Sequence, residues 1–321
     1  MDFDRKKIVS FSRIGSRATF GLIAYELAKH IENLMVLTAD VSTSAGLDRF
    51  KKQYTDKYLD VGIAEQNMIG IAAGLSSEGY KVITTTFAPF QTMRCLEQIK
   101  VNLGYMKHKV TMVGLASGIA LGTLGYTHCC IEDLSIMRSI PNLTVVSPAD
   151  CLETAKAVES SLNHHESVYI RLTGTNNNPI VYENDYEFKI GKTVEIVKGK
   201  DMAILATGSM VHNSIEATKI LKDSKIFPSV INVHTLNSFD KDEIGKIIEN
   251  LKLIVTVEEH SIIGGLGSVI SEIKSLKNIN TRQISIALPS NYDVSGEYDY
   301  LKNINSLTPE KIAERIESEF K

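Results

Sequence analysis

Glu65 lies in the segment DVGIAEQNMIGIAAG, a carboxyl group at the start of a helical run among small and apolar residues. Desolvation disfavours the ion, so a carboxyl group in such surroundings tends to keep its proton. The alternative is an ordinary helix-start glutamate. His128 closes the glycine-rich segment GTLGYTH, where an imidazole can serve proton transfer or simply support the loop. Phe87 and Phe90 flank Pro89 in TTTFAPF, as core residues or as an aromatic face at a strand end. Asp40 and Ser44 occupy TADVSTSAG, and Arg17 in GSRATF opens a helix, as a surface cation or as an anion ligand.

The elements that must carry these residues alternate. Phe20, Ile23, Leu27 and Ile31 recur at helical spacing, with Ser16 placed to cap the first turn. LMVLTAD reads as a buried strand, AEQNMIGIAAGLSSEG as a helix, KVITTTFA as a strand, MRCLEQIKVNLGYM as a helix, and KVTMVGLA as a strand entering a glycine-rich loop. NLTVVSPAD, CLETAKAVESSLNH and VYIRLTG continue the alternation. The pattern predicts an α/β fold of mostly parallel sheets with helices on both faces. Ligands then sit beyond the carboxyl ends of strands. ADVSTSAG, DVGIAEQ, FAPFQ and GTLGYTHCC all hold that position. From Thr173 to Tyr186 the polar run TGTNNNPIVYENDY reads as a linker, and MAILATGS, SVINVHTL and LIVTVEEH begin a second α/β unit. Two doubly wound domains are expected, over residues 1–180 and 181–321.

The chain has 321 residues, with 35 basic against 38 acidic side chains and no basic block, so nothing resembles a nucleic-acid footprint. Val110 to Ile131 lacks charge, yet its glycines, threonines and terminal histidine argue against a membrane span. The opening residues contain no long apolar run, and a cytoplasmic location is expected. Cys95, Cys129, Cys130 and Cys151 have no zinc spacing and read as reduced thiols, so no metal ligand is expected in this chain. GGLGS is not a dinucleotide-binding fingerprint.

DVGIAEQNMIGIAAGLSSEGYKVITTTFAPF resembles the pyrimidine-binding domain of the thiamine-diphosphate enzymes of the transketolase family. LATGSMVHNSIEATKIL with VTVEEHSIIGGLGS resembles that family's C-terminal domain. The resemblance implies that Glu65 hydrogen-bonds the cofactor's aminopyrimidine and so promotes loss of the thiazolium proton, a role suited to a protonated carboxyl group. It implies that Phe87 and Phe90 pack on the aminopyrimidine and that His128 assists proton transfer on the sugar. Asp40 and Ser44 match positions near the thiazolium ring and the substrate phosphate, and Arg17 matches a phosphate-binding arginine.

Three departures bear on substrate. Leu124 stands where an acidic residue usually recognises a sugar hydroxyl, Ala116 where a phosphate-contacting histidine is common, and Gly174 about where a second phosphate-binding arginine falls. A leucine cannot bond a hydroxyl, and an anion site without these donors is weaker. An unusual sugar is expected, one on a nucleotide or from a surface-glycan pathway. The chain also lacks the G-D-G motif that helps hold magnesium against the diphosphate. The resemblance therefore implies the C-terminal section of a split transketolase, with Mg2+ ligands supplied by an N-terminal subunit in an α2β2 heterotetramer, and an inactive lone chain. The rival readings are the β subunit of a 2-oxoacid dehydrogenase, a deoxyxylulose-phosphate-synthase-like enzyme, and a non-catalytic scaffold subunit.

Overall fold

The structure, a computed structural model, describes residues 1–292 and 294–320. Two sheets organise it. The first contains β1 (Leu34–Thr38), β2 (Tyr58–Asp60), β3 (Lys81–Phe87), β4 (Val110–Leu115), β5 (Leu143–Val146) and β6 (Ser167–Arg171), in the order β2-β1-β3-β4-β6-β5 with every pair parallel. All residues of β4, β5 and β6 are buried, as strands covered by helices on both faces require. Because the strands run parallel, the segments after Thr38, Asp60, Phe87 and Leu115 emerge on one edge.

The second sheet contains β7 (Val194–Val197), β8 (Met202–Ala206), β9 (Ser229–Asn232), β10 (Leu253–Ser261) and β11 (Arg282–Leu288), ordered β11-β10-β8-β9-β7. β7 is antiparallel to β9, an edge pairing that the alternating pattern did not reveal. The doubly wound α/β reading holds for both sheets.

The sheets meet at β5. Val146 bridges Thr235, Leu236 N donates to Val145 O at 2.9 Å, and Ser147 N donates to His234 O at 2.7 Å. The polar run 173–186 forms no strand or helix, but it is firmly held. Val181 N and Tyr182 N each donate to Asp150 at 2.9 Å, and the hydroxyls of Tyr182 and Tyr186 donate to Glu153 at 3.2 and 2.5 Å.

The first helix differs from the expectation. It spans Arg5–Ala28, capped by Asp4 accepting from Lys7 N, and breaks at Gly15, whose φ of 82° favours glycine. Ser16 follows the break, but its Oγ donates to Thr173 O at 3.2 Å instead of capping the turn, and Ile31 lies beyond the helix. The stretch read as one helix from Met93 winds through a 3-10 turn, Met93–Cys95, one α turn, Leu96–Gln98, and a π-helical segment, Ile99–Tyr105. Among the described residues no helix is long and apolar enough to cross a membrane.

Candidate functional site

Glu65 opens the helix Glu65–Ser77 and is 3% exposed. The loop before it is shaped by Asp60, whose Oδ1 accepts from Gly62 N and from Asp40 N, both at 3.0 Å. One carboxylate thus joins the loop of Glu65 to the loop of Asp40. Asp40 adopts a left-handed φ of 56°, which aspartate tolerates better than most residues. Its carboxylate is exposed and has no hydrogen-bond or ion-pair partner among the described residues.

Phe87 ends β3, and Pro89 lies in the first turn of the short helix Ala88–Gln91 that carries Phe90. Both rings are half-buried. His128 follows the turn Gly122–Thr127. The three rings form one edge-to-face group, with centroids 6.4 Å apart for Phe87 and Phe90, 6.2 Å for Phe87 and His128, and 5.5 Å for Phe90 and His128. Thr127 Oγ1 lies 3.0 Å from His128 Nδ1. Nε2 has no hydrogen-bond partner among the described residues and is available to exchange a proton.

Arg94 completes the group and was missed in the sequence. Its Nη1 lies 2.6 Å from Glu65 Oε1, and its guanidinium sits 4.0 Å from the Phe90 ring centre. Gln66 Nε2 holds the Arg94 carbonyl at 3.0 Å. The sequence around Glu65 shows its burial but not this cation. The neighbouring Cys95 thiol is pushed up to about 12 by burial and by the Glu65 charge. Glu65, Phe87, Phe90 and His128, which the sequence places in three separate segments, therefore form one cluster through Arg94.

Arg17 and Ser44 stand apart from the cluster. No hydrogen bond, ion pair or ring contact joins Arg17 or Ser44 to it among the described residues. Arg17 follows the Gly15 break, and the 40–46 loop carrying Ser44 packs on its helix. A Cβ on Gly46 would lie 2.8 Å from Ala18 Cα and 3.3 Å from Arg17 O. The Arg17 guanidinium is half-buried without a partner among the described residues, and burial lowers its pKa. An unpaired, partly desolvated cation is suited to an anion. Leu124 is 55% exposed on the same loop as His128. Ala116 is buried with φ of 53°, and Gly174 has φ of 79° with the Asn178 amide filling the space a side chain would take. Neither position offers a charged group.

A polar cavity of about 320 Å³, lined by Ser16, Thr173, Gly174, Asn176, Ser209 and Lys302 among others, contains none of the clustered residues. His164, His165 and Glu166 bring three potential metal ligands within 4.8 Å of one another, just before β6 and so at the opposite sheet edge. Glu166 Oε2 already accepts from Thr144 and Ser238 there.

Residues 12–179 match the family model of the transketolase pyrimidine-binding domain, and residues 191–312 match that of the transketolase C-terminal domain. A putative transketolase C-terminal section from Methanocaldococcus jannaschii is 37% identical over 309 residues, 96% of each chain. An apulose-4-phosphate transketolase subunit from Phocaeicola vulgatus is 36% identical over 274 residues, 85% of this chain and 88% of that one. The structure is also similar to a split-gene transketolase described as an inactive β4 tetramer, with a TM-score of 0.84 and 31% identity over 95% of this chain and 97% of the other.

Proposed function

The chain belongs to the transketolase family, and from that premise we propose that it is the C-terminal subunit of a split transketolase, transferring a two-carbon ketol unit from a ketose to an aldehyde. The observation that carries this reading is the joining of Glu65, Phe87, Phe90 and His128 into one cluster on the carboxyl edge of the first sheet. A division near residue 180 separates the pyrimidine-binding domain from the C-terminal domain.

Thiamine diphosphate supplies a carbon nucleophile and an electron sink that side chains lack. The residues present fit its aminopyrimidine, with a buried carboxyl group beside aromatic faces. Glu65 would hydrogen-bond the ring, and Phe90 and Phe87 would pack on it. His128 Nε2 would move protons on the sugar, and Asp40 would serve the cofactor on its thiazolium side. Arg17 and Ser44 would hold the anionic end of the substrate.

The neutral Ala116 and Gly174 leave Arg17 without a second cation from those positions, and Leu124 presents methyl groups where a hydroxyl contact is usual. These features support a sugar other than the common pentose and hexose phosphates. The relative from Phocaeicola vulgatus is named for one such sugar phosphate.

The partner is an N-terminal subunit that brings the diphosphate and Mg2+ ligands, in an α2β2 heterotetramer. Ile63 at 76% and Met93 at 40% exposure flank Glu65 and Arg94, an apolar rim suited to cover by a second chain. Four buried free thiols accord with a reducing, cytoplasmic setting. The test is reconstitution with an N-terminal subunit, thiamine diphosphate and Mg2+, followed by a screen of ketose donors and aldehyde acceptors. Ketol transfer by the mixture and none by either chain alone is the expected result. Condensation of pyruvate with an aldehyde in place of ketol transfer would favour a deoxyxylulose-phosphate-synthase-like enzyme.

A further inference from the structure

β10 belongs to the second sheet, yet its end reaches the loop that carries His128. Glu259, 1% exposed, accepts there from Ile119 N through Oε1 at 2.9 Å. Its Oε2 accepts from Ser209 Oγ at 2.5 Å and from Tyr298 OH at 2.6 Å. Gly118, beside Ile119, has φ of 69°, and a Cβ on it would lie 2.2 Å from Glu259 Oε1. Gly118 and Cys130 exchange both backbone hydrogen bonds, at 2.8 and 2.9 Å, closing residues 118–130 into a loop. The carboxylate is thus fastened at the base of the loop that presents Leu124 and His128.

The other side of that loop rests on the segment that holds Tyr298. Gly296 N donates to Gly122 O at 3.0 Å, and a Cβ on Gly122 would meet Leu301 Cδ1 at 2.1 Å. Tyr298 and Leu301 share the helix Tyr298–Ile304, so Glu259 ties together both supports of the loop. Arg171 fixes the height of the β10 end, donating from Nη2 to Glu259 O at 2.8 Å while its Nε bonds both oxygens of the buried Asp133.

We propose that Glu259 is a positioning residue for His128, through which the C-terminal domain sets the place of an imidazole it does not itself carry. The inference rests on the reading of His128 as the proton-transfer group of ketol transfer. Without the carboxylate, three donors lose their acceptor, the Ile119 N–H among them, and the loop base is free to shift. A displacement of about 1 Å in such a group is enough to lower turnover on the order of a hundredfold.

The experiment uses the reconstituted complex with thiamine diphosphate and Mg2+. Glu259→Ala is expected to lower kcat on the order of a hundredfold while thiamine-diphosphate affinity, set around Glu65, stays unchanged. Glu259→Gln keeps an oxygen for Ile119 N–H and offers an amide to the two hydroxyls, so it restores most of the lost turnover. The sharpest readout is the pair with His128→Ala, in which Glu259→Ala should cost nothing further, because the two act through one group. Equal losses with and without His128, or full turnover in Glu259→Ala, overturn the proposal. Should Glu259→Ala not fold, Tyr298→Phe removes one donor and leaves the anchor, and its smaller loss must likewise vanish with His128→Ala. Absence of ketol transfer in the unaltered complex refutes the functional reading itself. Transfer that persists undiminished in Glu259→Ala refutes only this inference.

Discussion

Glu65 and Arg94 show what single residues disclose and what they hide. A carboxyl group amid DVGIAEQNMIGIAAG was readable as buried, because small apolar neighbours on a helix start leave little room for water. Its cation was not readable, since the 2.6 Å contact joins positions 29 apart and exists only once β3 and its following turn are placed. His128, Phe87 and Phe90 were legible as candidates, and their grouping was not. A different buried residue makes a testable point about acid. Burial lowers the His234 pKa from 6.5 to about 4, so the folded chain refuses a proton that the unfolded chain accepts below 6.5. This histidine therefore favours the fold above pH 6.5, and that contribution is lost as pH falls toward 4. Glu258, raised to about 7, and Asp150, raised to about 6, take up protons on folding and act with the opposite sign. The effect is accordingly read by difference. His234→Gln should remove about one proton from the pH slope of urea-unfolding stability between pH 6.5 and 4, and an unchanged slope would show that His234 is not neutral in the fold.

Among the elements, strands were the most legible because a short buried run leaves few alternatives, and β1, β3, β4, β8 and β10 fall where the sequence put them to within a few residues. The half-helix before Gly15 was missed because the glycine breaks the periodicity, although Ile8 and Phe11 are buried on it. The winding from Met93 to Tyr105 carries no composition that separates π from α turns. The packing of the 40–46 loop on the first helix is a further property that spacing could not show. Gly21 is within the helix, where alanine ordinarily stabilises by about 1 kcal/mol. Here its Cβ would lie 2.2 Å from Gly46 O, a backbone atom that cannot swing aside. Gly21→Ala should instead destabilise by about 1–3 kcal/mol in urea unfolding, because the 40–46 loop must move off the helix to make room. A gain in stability would contradict the packing.

Across the whole molecule, two α/β units were evident from the repeated strand–helix alternation, but how they meet was not. The junction is polar and buried. Glu153, fully buried, accepts from Tyr182 and Tyr186 on the 173–186 run, from Asn232 of the second sheet and from Ala149 N. Burial raises its pKa, opposed by those donors. Glu153→Ala strands several buried donors and should cost about 3 kcal/mol or more, seen as an earlier unfolding midpoint in urea; an unchanged midpoint would place the junction's strength elsewhere. The same interlocking lets the second domain hold the His128 loop through Glu259, which accepts from Ile119 N, without placing a side chain in the cluster.

We assign to Glu65 the activation of a thiamine cofactor in a complex with an N-terminal subunit. The direct measurement is the ketol-transfer rate of that reconstituted complex with Glu65→Gln, its assembly checked by size. Turnover should fall by about 10²–10⁴-fold with the complex intact, whereas full turnover in the glutamine variant would contradict the assignment of Glu65 and the mechanism built on it.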